Sequence, residues 1–231
     1  SGWQSLASPA SATSSARCSP SLPLPADVDA GERVVLASAN PKKAAEIAHI
    51  LGDRIALVPR PTDVPDVVED ADTFVGNARL KASALVAATG LAALADDSGL
   101  EVEALDGAPG VHSARYAGEG GDDGRNVAKL LAALSGLPGS GLPGSAPSDR
   151  AARFRAVVVV QWPDGREVVA EGTVEGVIAD APRGHGGFGY DPVFVPNEGD
   201  GRTFGEMDPD HKHAISHRGR ALAELLRQLE S

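Results

Sequence analysis

Leu91-Ala92-Ala93-Leu94-Ala95-Asp96-Asp97-Ser98-Gly99-Leu100 joins a run of small apolar residues to two carboxylates, a hydroxyl and a glycine. The apolar half reads as a short buried strand, and its abrupt polar end delivers hard oxygen ligands to the rim of a sheet. In open α/β folds the rim at the carboxyl ends of the strands is where ligands sit. Oxygen-only ligation favours magnesium, which shares its shell with water and substrate phosphates. The stretch therefore suggests phosphate-ester chemistry. The same residues also suit a plain acidic turn, since Asp, Ser and Gly all favour turns.

Upstream, Arg33 to Ala37 is a second short buried strand, and Ser38-Ala39-Asn40-Pro41 turns into a helix from about Lys42 to Leu51, with Pro41 in its first turn. Ile55 to Val58 reads as a strand and Pro59 to Asp72 as a proline-rich acidic loop. Thr73 to Thr89 is a helix, with Phe74, Ala78, Lys81, Leu85 and Ala88 at helical spacing and Gly90 as its stop. Downstream, Leu100 to Leu105 alternates as a half-buried strand, and Asp122 or Asp123 caps a helix reaching about Leu134. Phe154 to Gln161 and Glu167 to Ile178 flank Pro163-Asp164-Gly165, the pattern of a long antiparallel hairpin. Val193 to Val195 is another short strand. Ser216 to Leu229 closes the chain as an amphipathic helix with Ala221, Leu222, Leu225 and Leu229 on its apolar stripe. Strand–helix units plus a hairpin predict an α/β fold: a two-lobed mixed sheet with flanking helices and a cleft between the lobes as the natural site.

The chain has 231 residues and carries a net charge of −11, from 32 acidic against 21 basic residues. That balance argues against a non-specific nucleic-acid binder, which needs a basic face. It permits a small anionic substrate if metal and a few lysines are focused locally. Nor does any apolar run reach the length of a bilayer span. Cys18 is the single cysteine, so neither an internal disulfide nor a cysteine-built zinc site is available, as befits a reducing cytoplasm. Residues 1–30 are dominated by Ser, Ala and Pro, lack a continuous apolar core, and read as a disordered tail ahead of a domain spanning 31–231. Leu-Pro-Gly-Ser occurs twice, at 137–140 and 142–145, a local duplication inside a surface loop over about 136–148.

Four further segments carry chemistry. Ser38-Ala39-Asn40-Pro41-Lys42-Lys43 puts a helix start, two hydrogen-bonding side chains and two ammonium groups together, which suits phosphate. Its plainer reading is a capped helix with two solvated lysines. Asn77 and Lys81 lie one turn apart on one helix face. A lysine on a core-facing stripe needs an anion or must snorkel. The acidic run Val68-Glu69-Asp70-Ala71-Asp72 is a solvated loop that could lend a carboxylate to a metal. In Gly184-His185-Gly186-Gly187-Phe188-Gly189-Tyr190-Asp191-Pro192, glycines allow close backbone approach while Phe188 or Tyr190 offers a face to a purine; an ordinary glycine-rich loop anchored by aromatics fits equally. Lys212-His213-Ala214-Ile215-Ser216-His217-Arg218 gathers basic groups at a helix start, where acidic ones are usual, and so points to a nearby anion or carbonyl acceptor.

In order, Ser38-Ala39-Asn40-x-x-Lys43, Asn77-Ala78-x-x-Lys81, Asp96-Asp97-Ser98-Gly99-Leu100, Gly107-Ala108-Pro109-Gly110 with Ser113-Ala114-Arg115-Tyr116, Gly187 to Pro192 and Ser216-His217-Arg218 closely resemble the inosine triphosphate pyrophosphatase family. These enzymes hydrolyse non-standard purine nucleoside triphosphates. The resemblance covers about Arg33 to Glu230. It implies a magnesium-dependent, cytoplasmic homodimer that converts ITP, dITP or XTP to the monophosphate and pyrophosphate. By motif position Asp97 would be the proton acceptor and a metal ligand, with Glu69 a possible second ligand. Ser38, Ala39, Asn40, Pro41, Lys42, Lys43 and Lys81 would hold the triphosphate, and Ser98 would lie beside the metal. Phe188, Gly189, Tyr190, Asp191, Lys212, His217 and Arg218 would recognise base and sugar. Asp96 would act in support. Gly76 departs from the family pattern, which has Glu before Asn77-Ala78, and the 136–148 loop is longer than usual. The alternatives are a pyrophosphatase of other base preference, a phosphomonoesterase, and a non-catalytic nucleotide-binding sensor.

Overall fold

The computed structural model describes residues 32–136 and 150–231; the expected tail and both Leu-Pro-Gly-Ser copies lie outside them. Strand β1 (Arg33–Leu36) leads into helix α1 (Pro41–Leu51). Asn40 caps that helix: its Oδ1 accepts from the backbone N–H of Lys42 at 2.9 Å and of Lys43 at 3.3 Å. Pro41 takes the first helical position, where no N–H is required. Strand β2 (Ala56–Val58) follows, then helix α2 (Phe74–Thr89), capped by Thr73 and stopped by Gly90 in the left-handed region at φ 67°.

The central stretch departs from its expected form. Asp96, Asp97, Ser98 and Gly99 do not end a strand; they lie inside β3 (Ala92–Val102), which merges the two short strands expected on either side. Turn-favouring residues are overridden by pairing. Strand β4 (Ala151–Gln161) runs antiparallel to β3 over its whole length, from Ala93 opposite Gln161 to Val102 opposite Ala152, and satisfies the backbone through the polar segment. Gly99 is required there, because a Cβ would lie 2.4 Å from the Gly110 carbonyl oxygen and 2.6 Å from Ser113 Oγ.

Helix α3 (Asp123–Ser135), capped by Asp122, precedes β4. The hairpin is completed by β5 (Glu167–Ile178), with Gly165 in the turn at φ 88°. Short β6 (Phe194–Pro196) pairs with the end of β5. Among the described residues the sheet is six-stranded, in the order β2-β1-β3-β4-β5-β6, parallel on the β1 side and antiparallel from β3 onward. The expected closing segment is two helices rather than one: α4 (Pro209–Ile215) and α5 (His217–Leu229), separated by Ser216, which caps α5. The basic cluster is thereby divided, with Lys212 and His213 in the last turn of α4, where cations suit the helix dipole.

Period-two alternation along β3 explains the layers. On one face Ala92 and Leu94 join a core with Ile47 and Leu51 of α1 and Leu222 and Leu225 of α5. Further along the same face Leu100 and Val102 join a second core with Phe154, Phe194 and Leu130. Asp96 and Ser98 occupy that face in the gap between the two cores. The opposite face packs Ala93 and Ala95 against Phe74, Ala78, Ala82 and Leu85 of α2. Two lobes thus share one continuous sheet, and the polar interruption of β3 marks the seam.

Helix α5 approaches β5 at Gly172, where a Cβ would lie 2.1 Å from the His217 carbonyl oxygen and 2.4 Å from the Ala221 nitrogen. Gly172→Ala should therefore cost about 1–3 kcal/mol by overpacking, read as a lowered urea-unfolding midpoint; an unchanged midpoint would contradict this packing.

Candidate active site

β1 ends at Leu36, opposite Leu94, and the last link between the two segments runs from the Ala37 N–H to the Leu94 carbonyl at 2.8 Å. Beyond it β3 has no strand beside Asp96 and Asp97 on that side, and the next backbone pairing there, among the described residues, is the Glu101–Pro109 bridge. Adjacent side chains of a strand point to opposite faces, so Asp96 and Asp97 reach the opening from opposite sides of the sheet.

Asp96 faces α1 and α5. Lys43 Nζ lies 3.3 Å from its Oδ2 and Arg218 Nη2 at 3.2 Å. Burial alone would raise its pKa, yet Lys43, Arg218 and Lys81 together hold it far below the usual carboxylate range. Arg218, itself buried, donates also to Ser98 Oγ at 2.9 Å and to Glu46 Oε2 at 2.6 Å. Glu46 is the residue that sequence reasoning missed; its only signal was its position three residues after Lys43, on the same face of α1. It accepts from Lys212 at 2.7 Å, and Lys212 in turn donates to Asp191 at 2.7 Å. Burial would raise the Glu46 pKa, but Arg218 and Lys212 draw it down.

Asp97 faces α2. Lys81 Nζ lies 3.1 Å from its Oδ1, and Asn77 Nδ2 donates to Oδ2 at 3.3 Å. Lys81 is also 3.4 Å from Glu69, so two carboxylates converge on one ammonium. Burial raises the Asp97 pKa and Glu69 adds to the effect, against Lys81 and Lys43. Neighbouring aspartates thus have opposite electrostatics. Asn77 was read only as a face-mate of Lys81; its Oδ1 also accepts from the Ala71 N–H at 3.0 Å, tying the acidic loop to the site. Arg115 completes that tie by donating to the Glu69 carbonyl at 2.8 Å. Gly76 leaves no room for a carboxylate, since a Cβ would lie 2.7 Å from that of Ala71.

A cavity of about 260 Å³ brings these groups together. Ser38, Ala39, Asn40, Lys43, Glu69, Lys81, Asp97, Ser98, Phe188, Gly189, Tyr190, Asp191, Lys212, His217 and Arg218 all line it, as does Asp96. Pro41 and Lys42 do not. Pro41 borders a neighbouring groove, and Lys42 points outward to Asp123 of α3 at 3.7 Å, spanning the mouth between the lobes. The expected free helix start is also partly spent, because Asn40 already caps two of its N–H groups. Of the two aromatic candidates, Tyr190 is packed in the second core with its hydroxyl donating to the Ser113 carbonyl at 3.0 Å, whereas Phe188 is only half-buried. Lys212 and Arg218 lie 5.0 Å and 5.6 Å from the Phe188 ring centre. Gly187, at φ 70°, leaves space for Asp191 to fold back and accept from the Phe188 N–H at 2.8 Å.

The family model described as the Ham1 family matches residues 34–228, a span holding every side chain of this cavity. The chain belongs to the Ham1 family. A dITP/XTP pyrophosphatase of Rhodospirillum centenum is 46% identical over 202 residues, covering 85% of this chain and 94% of that protein. One from Mycobacteroides abscessus is 47% identical over 206 residues, covering 86% and 95%. The solved structure of a Ham1 protein from Coxiella burnetii superposes with a TM-score of 0.76 at 43% identity, covering 86% of this chain and 98% of that one. The motif resemblance and the expected two-lobed mixed sheet are both borne out. In this Ham1 chain each of the six motif segments, spread over the sequence, contributes at least one residue to a single cavity.

His217 stacks on Phe154 with ring centres 4.5 Å apart, and its buried Nδ1 has no hydrogen-bond partner. Burial and the cations Arg218, Lys212 and Lys43 drive its pKa well below 6.5. The folded protein keeps this ring neutral while the unfolded chain takes up a proton, so stability should fall as pH drops below about 6.5, by up to about 1.4 kcal/mol per pH unit until the folded ring itself titrates. His217→Gln should show a shallower loss in urea unfolding compared at about pH 7.5 and about pH 5.5; an equal loss would place the titration elsewhere.

Proposed function

We propose that this protein hydrolyses the α–β phosphoanhydride of non-standard purine nucleoside triphosphates (ITP, dITP and XTP), releasing the nucleoside monophosphate and pyrophosphate. The observation that carries the reading is Asp97 held by Lys81, with Lys43 beside it on Asp96, in a cavity that Phe188 and His217 also line. The dITP/XTP pyrophosphatase relatives support the substrate class.

The cavity's own charges balance. Lys43, Lys81, Arg115, Lys212 and Arg218 face Glu69, Asp96, Asp97, Asp123 and Asp191, five cations against five carboxylates. A triphosphate therefore needs added positive charge, and the oxygen pair Asp97–Glu69, bridged here by Lys81, fits magnesium. Held by Asp97 and Glu69, magnesium would neutralise phosphate charge as the bridge breaks. Lys81 and Lys43 then turn from the carboxylates to the phosphates. Asp97 orients the attacking water and accepts its proton, while the water oxygen bonds to phosphorus and the bridging oxygen leaves on pyrophosphate.

Base choice rests on the 6-position. Every nitrogen of Arg218 is engaged within the protein, by Asp96, Ser98 and Glu46, which leaves His217 and backbone N–H groups of the cavity wall to read the base. A donor from His217 or a backbone N–H would meet the 6-oxygen of hypoxanthine or xanthine and stand unpaired against the amino group of adenine. Residues 31–231 form the catalytic unit in this reading. A homodimer working in the cytoplasm, as the motif resemblance implies, completes it, with sedimentation of the purified protein as the check on assembly.

Product analysis on ITP, XTP, dITP, GTP and ATP should show monophosphate and pyrophosphate, ATP slower than ITP by about 100-fold or more, and loss of turnover on chelation restored by magnesium. Release of orthophosphate, or equal rates on ATP and ITP, would overturn the assignment.

A further inference from the structure

Among the described residues, one group of three metal-ligating side chains converges outside the cavity: His49 of α1 with Asp210 and His213 of α4. Asp210 and His213 are three residues apart and so share a helix face. One ligand atom from each lies within 4.8 Å of the others. His49 Nε2 is 3.1 Å from Asp210 Oδ1, and the two imidazole centres are 5.1 Å apart, tilted by 51°. His213 also carries a buried Nδ1 with no hydrogen-bond partner. The set differs in kind from the all-oxygen pair in the cleft.

We propose that His49, Asp210 and His213 form a second divalent-metal site, of the zinc class, that clamps α4 onto α1. Two imidazoles and a carboxylate suit zinc and leave a fourth position for water. Zinc–nitrogen bonds of about 2.0–2.1 Å put neighbouring tetrahedral ligand atoms about 3.3 Å apart, so the His49–Asp210 pair is already spaced for it and His213 has at most about 1.5 Å to move. Burial lowers the His213 pKa, which favours the neutral ring a metal requires. The placement gives the ion a consequence. Glu46 lies three residues before His49, and Lys212 directly precedes His213; the two form an ion pair of 2.7 Å, Lys212 lines the cavity, and His213 Nε2 is 3.7 Å from Glu46. A metal on the outer side would fix the helix that carries Lys212 against the helix that carries Lys43.

The test is zinc titration by calorimetry in excess magnesium, which keeps the oxygen pair of the cleft occupied. The native protein should bind one zinc ion. His49→Ala, at an exposed position that leaves the fold intact, should weaken binding at least about tenfold, while Asp97→Asn should not. Cobalt in place of zinc should give the intense visible bands of a tetrahedral site, and zinc should slow hydrogen exchange of the α4 amides in the native protein but not in His49→Ala. Equal zinc affinity in His49→Ala, loss confined to Asp97→Asn, a six-coordinate cobalt spectrum, or unchanged exchange in α4 would each overturn the proposal.

Discussion

Past Leu36 the first strand no longer accompanies β3, while β4 goes on pairing with it as far as Val102. That difference in strand length opens one side of the sheet at Asp96 and Asp97 without breaking the backbone ladder on the other. Two adjacent carboxylates are thereby presented at a single opening from opposite faces. Each meets its own helices: Asp96 meets α1 and α5, and Asp97 meets α2. Their separation of roles follows from the two-residue period of a strand.

Around Asp96 the side chains form a closed electrostatic network. Lys43, Asp96, Arg218, Glu46, Lys212 and Asp191 alternate in sign across α1, β3, α5, α4 and the Phe188 loop. Removing one partner of such a buried network leaves another charge uncompensated, which is far costlier than the net worth of the pair. Around Asp97 the balance runs the other way, because burial and Glu69 oppose its ionisation while Lys81 favours it. The first arrangement holds the lobes and their cations in place. The second leaves a carboxylate whose charge is incompletely compensated, open to a cation and a water.

Much of this was legible in the sequence because local chemistry agreed with the fold. Asp122 caps the helix it was read to cap, Asn40, Thr73 and Ser216 cap helices that start where the sequence placed them, and Gly90 stops α2. The polar interruption at Asp96 to Gly99 marked the seam correctly but misled about the strand, since turn propensity gave way to long-range pairing with β4. Partners of the cations were harder to see. Glu46 is an ordinary surface-type residue on an amphipathic helix until Lys212 and Arg218, more than 160 positions away, close on it. Lys42 and Lys43 are indistinguishable as neighbours in sequence, yet the helix turns one to the solvent-facing mouth and the other into the cleft.

The division of labour between Asp96 and Asp97 is tested most directly by urea unfolding of Asp96→Asn and Asp97→Asn side by side at neutral pH. Asp96→Asn strands Lys43 and takes one of the two carboxylates from Arg218, and should lose about 3–5 kcal/mol. Asp97→Asn relieves a carboxylate that burial disfavours and should unfold no more easily than the native protein. Equal losses in the two variants, or a loss confined to Asp97→Asn, would contradict the assignment of anchor and reactive carboxylate.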